Sequence, residues 1–232
     1  MRVFHLIILT LIATGNNNLF AQPNKIVTIN FNLLFANAPL HLNRVNIAHG
    51  KDTVIIETLK FYVSSIELID NNKRVWKEDN SYHLLDASDA SSLKISFNTP
   101  PGLYFNRVKF NLGIDSATNV SGAMGGALDP TRGMYWTWQS GYINLKLEGK
   151  SNRCKTRNNE FVYHLGGYQG ENNALQTVML NIQPKENIDI SMDVATFISL
   201  ADASVVNHIM SPSKEAVLLA AKFSQLITPG KQ

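Results

Sequence analysis

Apolar and polar residues alternate with a period of two through most of this chain. Val27, Ile29, Phe31 and Leu33 are separated by Thr28, Asn30 and Asn32, and Leu93, Ile95 and Phe97 by Lys94 and Ser96. Val108, Phe110 and Leu112 keep the same beat, as do Ile143, Leu145 and Leu147, then Val178, Leu180 and Ile182, then Ile188, Ile190, Met192 and Val194. Successive side chains of a strand point to opposite faces, so each run buries one face and wets the other. Six such runs between turn-rich stretches predict an all-β domain, an antiparallel β-sandwich or barrel-like fold.

One run breaks its own phase. Leu59, Phe61 and Val63 share one parity and Ile66 and Leu68 the other, so an extra residue at Ser64-Ser65 predicts a β-bulge. Asp70-Asn71-Asn72 predicts a hairpin turn before Val75 and Trp76, and Thr99-Pro100-Pro101-Gly102 another turn. Helical spacing appears near the end, in Ala216, Leu219, Ala220 and Phe223. Ser211-Pro212 reads there as an N-cap with proline at the first helical position, and Pro229-Gly230 as the stop. Residues 116–133 form the longest stretch without a pattern, a small-residue loop of the kind that often carries function.

The N-terminus changes the picture of where this domain works. Arg2 precedes a mostly apolar run, residues 3–13, and Leu19-Phe20-Ala21 offers a cleavage boundary before Gln22. These features predict a signal peptide over residues 1–21 and a mature domain over residues 22–232, periplasmic or secreted. The run is too short to cross a bilayer as a helix. The single cysteine, Cys154, lies far from the boundary, which argues against a lipid anchor and excludes both an intrachain disulfide and c-type haem attachment. Without Arg2 the mature chain has 21 − 1 = 20 basic residues against 18 acidic ones, a balance that predicts neither nucleic-acid binding nor a membrane-surface role.

No HExxH, GxSxG, Walker or EF-hand pattern occurs, and nothing marks paired catalytic carboxylates, so a non-enzymatic protein is expected. The Gly-rich run at residues 121–126 lacks the Lys and Ser/Thr of a phosphate cradle. Asn119-Val120-Ser121 matches the three-residue glycosylation sequon, a pattern short enough to arise by chance. Two signals remain. Trp136 and Trp138, two residues apart, share a side if their segment is extended; they suit an aromatic core element, a stacking platform or an oxidisable pair. Five histidines remain after cleavage (His41, His49, His83, His164 and His208), and imidazole is a common ligand for copper and zinc. No two of them have close ligand spacing; His164 stands where a short strand, residues 161–165, opens into Gly166-Gly167.

Several blocks together resemble the MbnP-like copper-binding family of bacterial periplasmic proteins. They are Leu59-Lys60-Phe61-Tyr62-Val63-Ser64-Ser65, Tyr82-His83-Leu84-Leu85-Asp86, Phe110-Asn111-Leu112-Gly113-Ile114-Asp115, Gly133-Met134-Tyr135-Trp136-Thr137-Trp138-Gln139-Ser140-Gly141-Tyr142 and Tyr163-His164-Leu165-Gly166. The Trp-x-Trp-x-x-Gly-Tyr and His-Leu-Gly blocks are the most specific. The resemblance implies a β-rich protein that binds one copper ion. It also implies a partner, an MbnH-like dihaem homologue of cytochrome c peroxidase that oxidises a tryptophan of its client to kynurenine. Carried onto this chain, the tryptophan is Trp138 in the first place and Trp136 in the second. The metal-site residues are His164 and then His208, with His83 and His49 as further candidates. Asn32 stands on the first strand where the resemblance leads one to expect a histidine. The alternative reading is a metal-free secreted β-sandwich that uses the two tryptophans as an aromatic platform for carbohydrate or protein.

Overall fold

The alternating runs become strands whose apolar faces meet across one core. A computed structural model describes residues 24–48, 52–139, 141–183 and 185–230; the segment expected to be a signal peptide, residues 1–21, and His49 lie outside them. In chain order the elements are β1 (Lys25–Phe35), β2 (Ala38–Pro39), β3 (Val45–Ile47), β4 (Thr53–Asp70), β5 (Lys73–Lys77), β6 (Tyr82–Asp86), β7 (Lys94–Thr99), β8 (Arg107–Leu112) and α1 (Ser116–Val120). Then come β9 (Tyr135–Trp136), β10 (Gly141–Ser151), β11 (Glu160–Gly166), β12 (Gln176–Asn181), β13 (Asn187–Asp193), α2 (Val194–Ala201), β14 (His208–Ile209), α3 (Lys214–Gln225) and β15 (Ile227–Pro229). One sheet carries β1, β2, β7, β13 and β15, and the larger one carries the other strands around β4. Val27, Ile29 and Phe31 from the first sheet and Leu59, Phe61, Phe110 and Leu147 from the second share the main core. The β-sandwich with a C-terminal helix is therefore present. Its pairing is mixed rather than purely antiparallel, because β1 runs parallel to β13 and β11 parallel to β14.

The long strand β4 organises the larger sheet. Lys60 and Phe61 pair with β6 on one edge and β10 on the other, while Val63 and Ser64 pair with β6 and with β8. β10 and β8 thus meet the same edge of β4 in succession, and the sheet forks between them. The expected bulge sits at this point: Ser65 takes a φ of +53° and the β4–β8 register shifts between Ser64 and Glu67. Its polar groups are satisfied, since Ile66 N donates to Ser81 Oγ at 3.0 Å and Ser64 Oγ donates to Gly113 O at 2.7 Å. Asn144, buried at the fork, accepts from Ile114 N at 3.0 Å, and its amide lies so close to Gly113 that an added Cβ there would meet Asn144 Cγ at 2.3 Å.

From this fork the chain crosses the outer face of the larger sheet. Residues 116–133 are expected from sequence to be an irregular loop. They instead hold α1 and two 3-10 turns, Gly126–Leu128 and Pro130–Arg132. Leu128 and Met134 close over Tyr62, Ile114, Tyr142 and Ile143 to form a second, smaller apolar cluster. Tyr142 Oη ties it down, accepting from Met124 N at 3.0 Å and donating to Leu128 O at 3.1 Å, and Tyr62 Oη donates to Ala127 O at 3.0 Å. Asn119 is buried and its amide donates to Ile114 O at 2.9 Å, so the sequon is a packing residue and not an accessible acceptor.

Two helix boundaries differ from the sequence expectation. The N-cap of α3 is Ser213, whose Oγ accepts from Ala216 N at 3.1 Å, and not Ser211. The helix stops at Gln225 because the chain turns to add β15 to the edge of β13, so Pro229 ends a strand and not the helix. The run through Val194 also ends one residue early. Asp193 caps α2, accepting from Ala195 N at 2.9 Å, and Val194 begins the helix. Phe197 of α2 and Phe223 of α3 meet edge to face at 5.3 Å, and Phe223 meets Phe61 at 5.8 Å. The helices thereby join the core between the sheets.

Candidate functional site

Period two along β11 sends Phe161, Tyr163 and Leu165 into the main core and leaves Val162, His164 and Gly166 on the outer face. His164 is nevertheless buried. Across the ladder it pairs with Lys146 of β10, and its Nε2 lies 2.7 Å from Glu148 Oε1. Burial alone pushes the Glu148 carboxyl up, but the bonds from His164 and Thr58 and the Lys146 charge outweigh it and hold the group below its ordinary value. Burial pushes the His164 imidazole below its ordinary value; Glu148 offsets this in part, and the charges of Lys146 and His208 add to it. An ionised carboxylate beside a neutral imidazole assigns the proton to Nε2, so Nδ1 carries the lone pair. Nδ1 is buried and has no hydrogen-bond partner. A carboxylate that orients a histidine through one nitrogen while the other stays open is the usual outer support of a metal-binding imidazole.

The two tryptophans sit next to this face in unequal settings. β9 is only two residues long, so Trp136 ends it and Trp138 falls in the following turn rather than on a continuous strand. Trp136 is 5% exposed and Trp138 65% exposed, with ring centroids 6.1 Å apart and a 48° tilt. The Trp136 ring lies over Gly166, two residues from His164: a Cβ added at Gly166 would come within 2.8 Å of Trp136 Cζ3 and 2.6 Å of Tyr142 O. The absence of a side chain at Gly166 is thus what lets the indole reach this face. Trp136 Nε1 is buried and, like His164 Nδ1, has no hydrogen-bond partner. A cavity of about 180 Å³ adjoins Trp136, lined also by Gln139, Tyr168, Gln169, Asn172 and Pro212.

The other sequence candidates divide. His208 on β14 pairs with Val162, and its neighbour Ile209 enters the core, so His208 faces outward beside His164 and acts electrostatically on it. His83 lies on β6, beyond β4 and β10 from β11, about three strand spacings or 14 Å away. It cannot share a metal ion with His164, and it pairs instead with Glu78 at 2.8 Å. His49 lies outside the described residues. Asn32 is on the outer face of the other sheet, lining a groove with Asp189 and Asp193, so its identity does not touch the His164 face. Among the described residues no group of three or more His, Cys, Asp or Glu side chains is arranged to hold a metal ion. Glu148 and Lys146 were missed from sequence. Their signal was present in the outward parity of β10, but which outward residues meet His164 depends on the register.

The MbnP family model matches residues 24–213. The chain belongs to the MbnP family. No curated protein matches it. Among solved structures, MbnP from Methylosinus trichosporium aligns with a TM-score of 0.60 and 16% identity, over 83% of this chain and 83% of that one. At that identity the likeness shows the fold alone. The family assignment covers the strands that carry Trp136, Glu148, His164 and His208.

Proposed function

We propose that this member of the MbnP family is an exported, non-enzymatic protein that binds one copper ion after one of its tryptophans has been oxidised to kynurenine by a dihaem peroxidase-like partner. The observation that carries the reading is the pair of buried, unpartnered nitrogens beside β11, His164 Nδ1 and Trp136 Nε1. Buried polar atoms without partners are rare, and each asks for a reason. A metal ion supplies one for His164, since Glu148 has already fixed its tautomer. An indole N–H offers no lone pair. Opening the five-membered ring between Cγ and Cδ1, with Cδ1 lost as formate, turns Nε1 into an aryl amine and Cγ into a ketone, both able to bind a metal.

Sequence ranks Trp138 ahead of Trp136; the geometry moves the weight to Trp136, whose ring lies over Gly166 while Trp138 points into solvent. His208 is the second imidazole of the proposed site. Nitrogen donors of this kind suit copper. Export rests on the N-terminal segment, and no helix among the described residues is long and apolar enough to cross a membrane.

The test is to produce the mature protein alone and together with an active dihaem partner, then measure tightly bound copper and map the peptide masses over residues 133–146. Copper retained only by the co-produced protein, with the mass change on Trp136, is the expected result. Two unmodified tryptophans beside an active partner would remove the client role, and a change confined to Trp138 would restore the sequence ranking. A second reading has its own support in exposed Trp138 and the amide-lined cavity, which suit a sugar or protein contact. Failure to bind copper in either form would favour it.

A further inference from the structure

The two tryptophans differ in access in a way that assigns them different work. Trp138 is open to solvent at the surface, while Trp136 is buried beside a cavity. Water, dioxygen or peroxide can enter that cavity, whereas a bulky oxidant finds little of the Trp136 indole to touch. Such an oxidant meets Trp138 first, and the second indole is 6.1 Å behind it.

We infer that Trp138 is an electron relay: oxidising equivalents enter at Trp138 and pass to Trp136, while the oxygen-bearing small molecule reaches Trp136 through the adjoining cavity. This rests on the reading that Trp136 is the residue oxidised. In each relay step Trp138 gives one electron to the oxidant, the high-valent haem iron of a peroxidase, which is reduced by one. Trp136 then gives one electron to the Trp138 cation. Trp138 ends neutral and Trp136 ends one electron short, with its proton still on Nε1.

Two of the tyrosines near Trp136 are poor sinks for the hole. Tyr142 lies in the same cluster and Tyr62 stands 5.9 Å from it. A tyrosine gives up an electron readily only if its phenolic proton can leave. Both hydroxyls donate to backbone carbonyls, of Leu128 and Ala127, which are not bases, and burial pushes both phenols above their ordinary value. Solvent stabilises the hole on Trp138 better than on Trp136. Net flow inward therefore depends on the irreversible addition of oxygen at Trp136, which is where the cavity opens.

The experiment uses a bulky one-electron oxidant in place of the partner, so it needs neither copper nor the dihaem enzyme. Photogenerated tris(bipyridine)ruthenium(III), which is reduced to ruthenium(II) as it takes the electron, is applied in air to the mature protein. Oxidation is then located by tandem mass spectrometry, with Trp76, stacked on Phe97 at 4.4 Å, as the internal reference. Wild-type protein should yield oxidised Trp136, Trp138→Phe should lose that product, and Trp138→Tyr, oxidisable and of similar shape, should recover it. Trp136→Phe should raise the damage at Trp138, which has lost its electron donor. Undiminished Trp136 oxidation in Trp138→Phe would overturn the relay, as would no oxidation of Trp136 in the wild type. Equal loss in the Phe and Tyr variants would assign Trp138 a packing role instead. A positive result stands even if the chain proves not to be the client of a dihaem enzyme.

Discussion

Two histidine–glutamate pairs in this molecule look alike at the level of bond lengths and differ in how deeply their histidines are buried. His164 Nε2 lies 2.7 Å from Glu148 and His83 Nε2 lies 2.8 Å from Glu78. The His83 side chain is 27% exposed, and its glutamate is shared: Glu78 Oε2 also accepts from Ser81 Oγ at 2.5 Å, which in turn caps Ile66 N at the bulge of β4. That pair braces a turn. The His164 side chain is 7% exposed, and its second ring nitrogen is buried without a partner. The contrast teaches that a His–carboxylate contact by itself says nothing about metal. What marks the His164 pair is the orphaned nitrogen that the carboxylate leaves behind.

Exchanging the two histidines one at a time breaks this comparison most sharply. His164→Ala should abolish copper retention by co-produced protein, measured as bound metal per chain, while His83→Ala should leave it intact. The reverse pattern would sink the assignment. The glutamates sharpen it further. Glu148→Gln should weaken copper affinity about 10–100-fold in a competitive chelator titration, because a neutral amide oxygen in place of the carboxylate accepts more weakly and no longer raises the basicity of the imidazole. Glu78→Gln should leave affinity unchanged and cost about 1–3 kcal/mol of folding stability, through the Ser81 and His83 contacts.

A smaller effect is expected from shape alone. Gly166→Ala forces a Cβ against Tyr142 O and the Trp136 ring and should destabilise by about 1–3 kcal/mol, read as a lower denaturation midpoint. It should also shift the Trp136 fluorescence, and an unchanged spectrum would mean that the ring does not rest on Gly166. The smallest effect concerns pH. Burial holds the His164 pKa below its unfolded value of 6.5, so the unfolded chain binds the proton first. Its contribution to the stability of the metal-free protein is therefore full above pH 6.5 and lost as pH falls through 6.5 toward the folded value. Chemical denaturation between pH 7.5 and 5.5 should show this slope, and His164→Gln should flatten it.

Much of this was legible in the chain. The alternating runs at residues 27–33, 93–97, 108–112, 143–147, 178–182 and 188–192 all became strands, because burying one face of a pleated ribbon demands that pattern. The bulge at Ser64-Ser65 was readable as a phase slip, since one extra residue reverses the parity of every residue after it. Strand pairing direction was not readable: β11 lies against β14 in parallel although 41 residues (208 − 167 = 41) separate them, and nothing local records that partner. The helix α2 was hidden because Val194 continues the strand's parity, and only the Asp193 side chain marks the change.

At the site, sequence determined the kinds of group available: an imidazole before a glycine turn, two tryptophans two apart and a carboxylate facing outward from β10. It determined that His164 and Gly166 share a face, because that follows from parity within one strand. Tertiary structure alone decided that Glu148 meets His164, that Trp136 is covered while Trp138 is not, and that His164 Nδ1 and Trp136 Nε1 are left without partners. Those facts depend on the register between β10 and β11 and on the path that residues 113–139 take across the sheet. The reason is physical: parity is fixed by the covalent geometry of neighbouring residues, whereas burial and partnership are set by chain segments brought together only when the whole core closes.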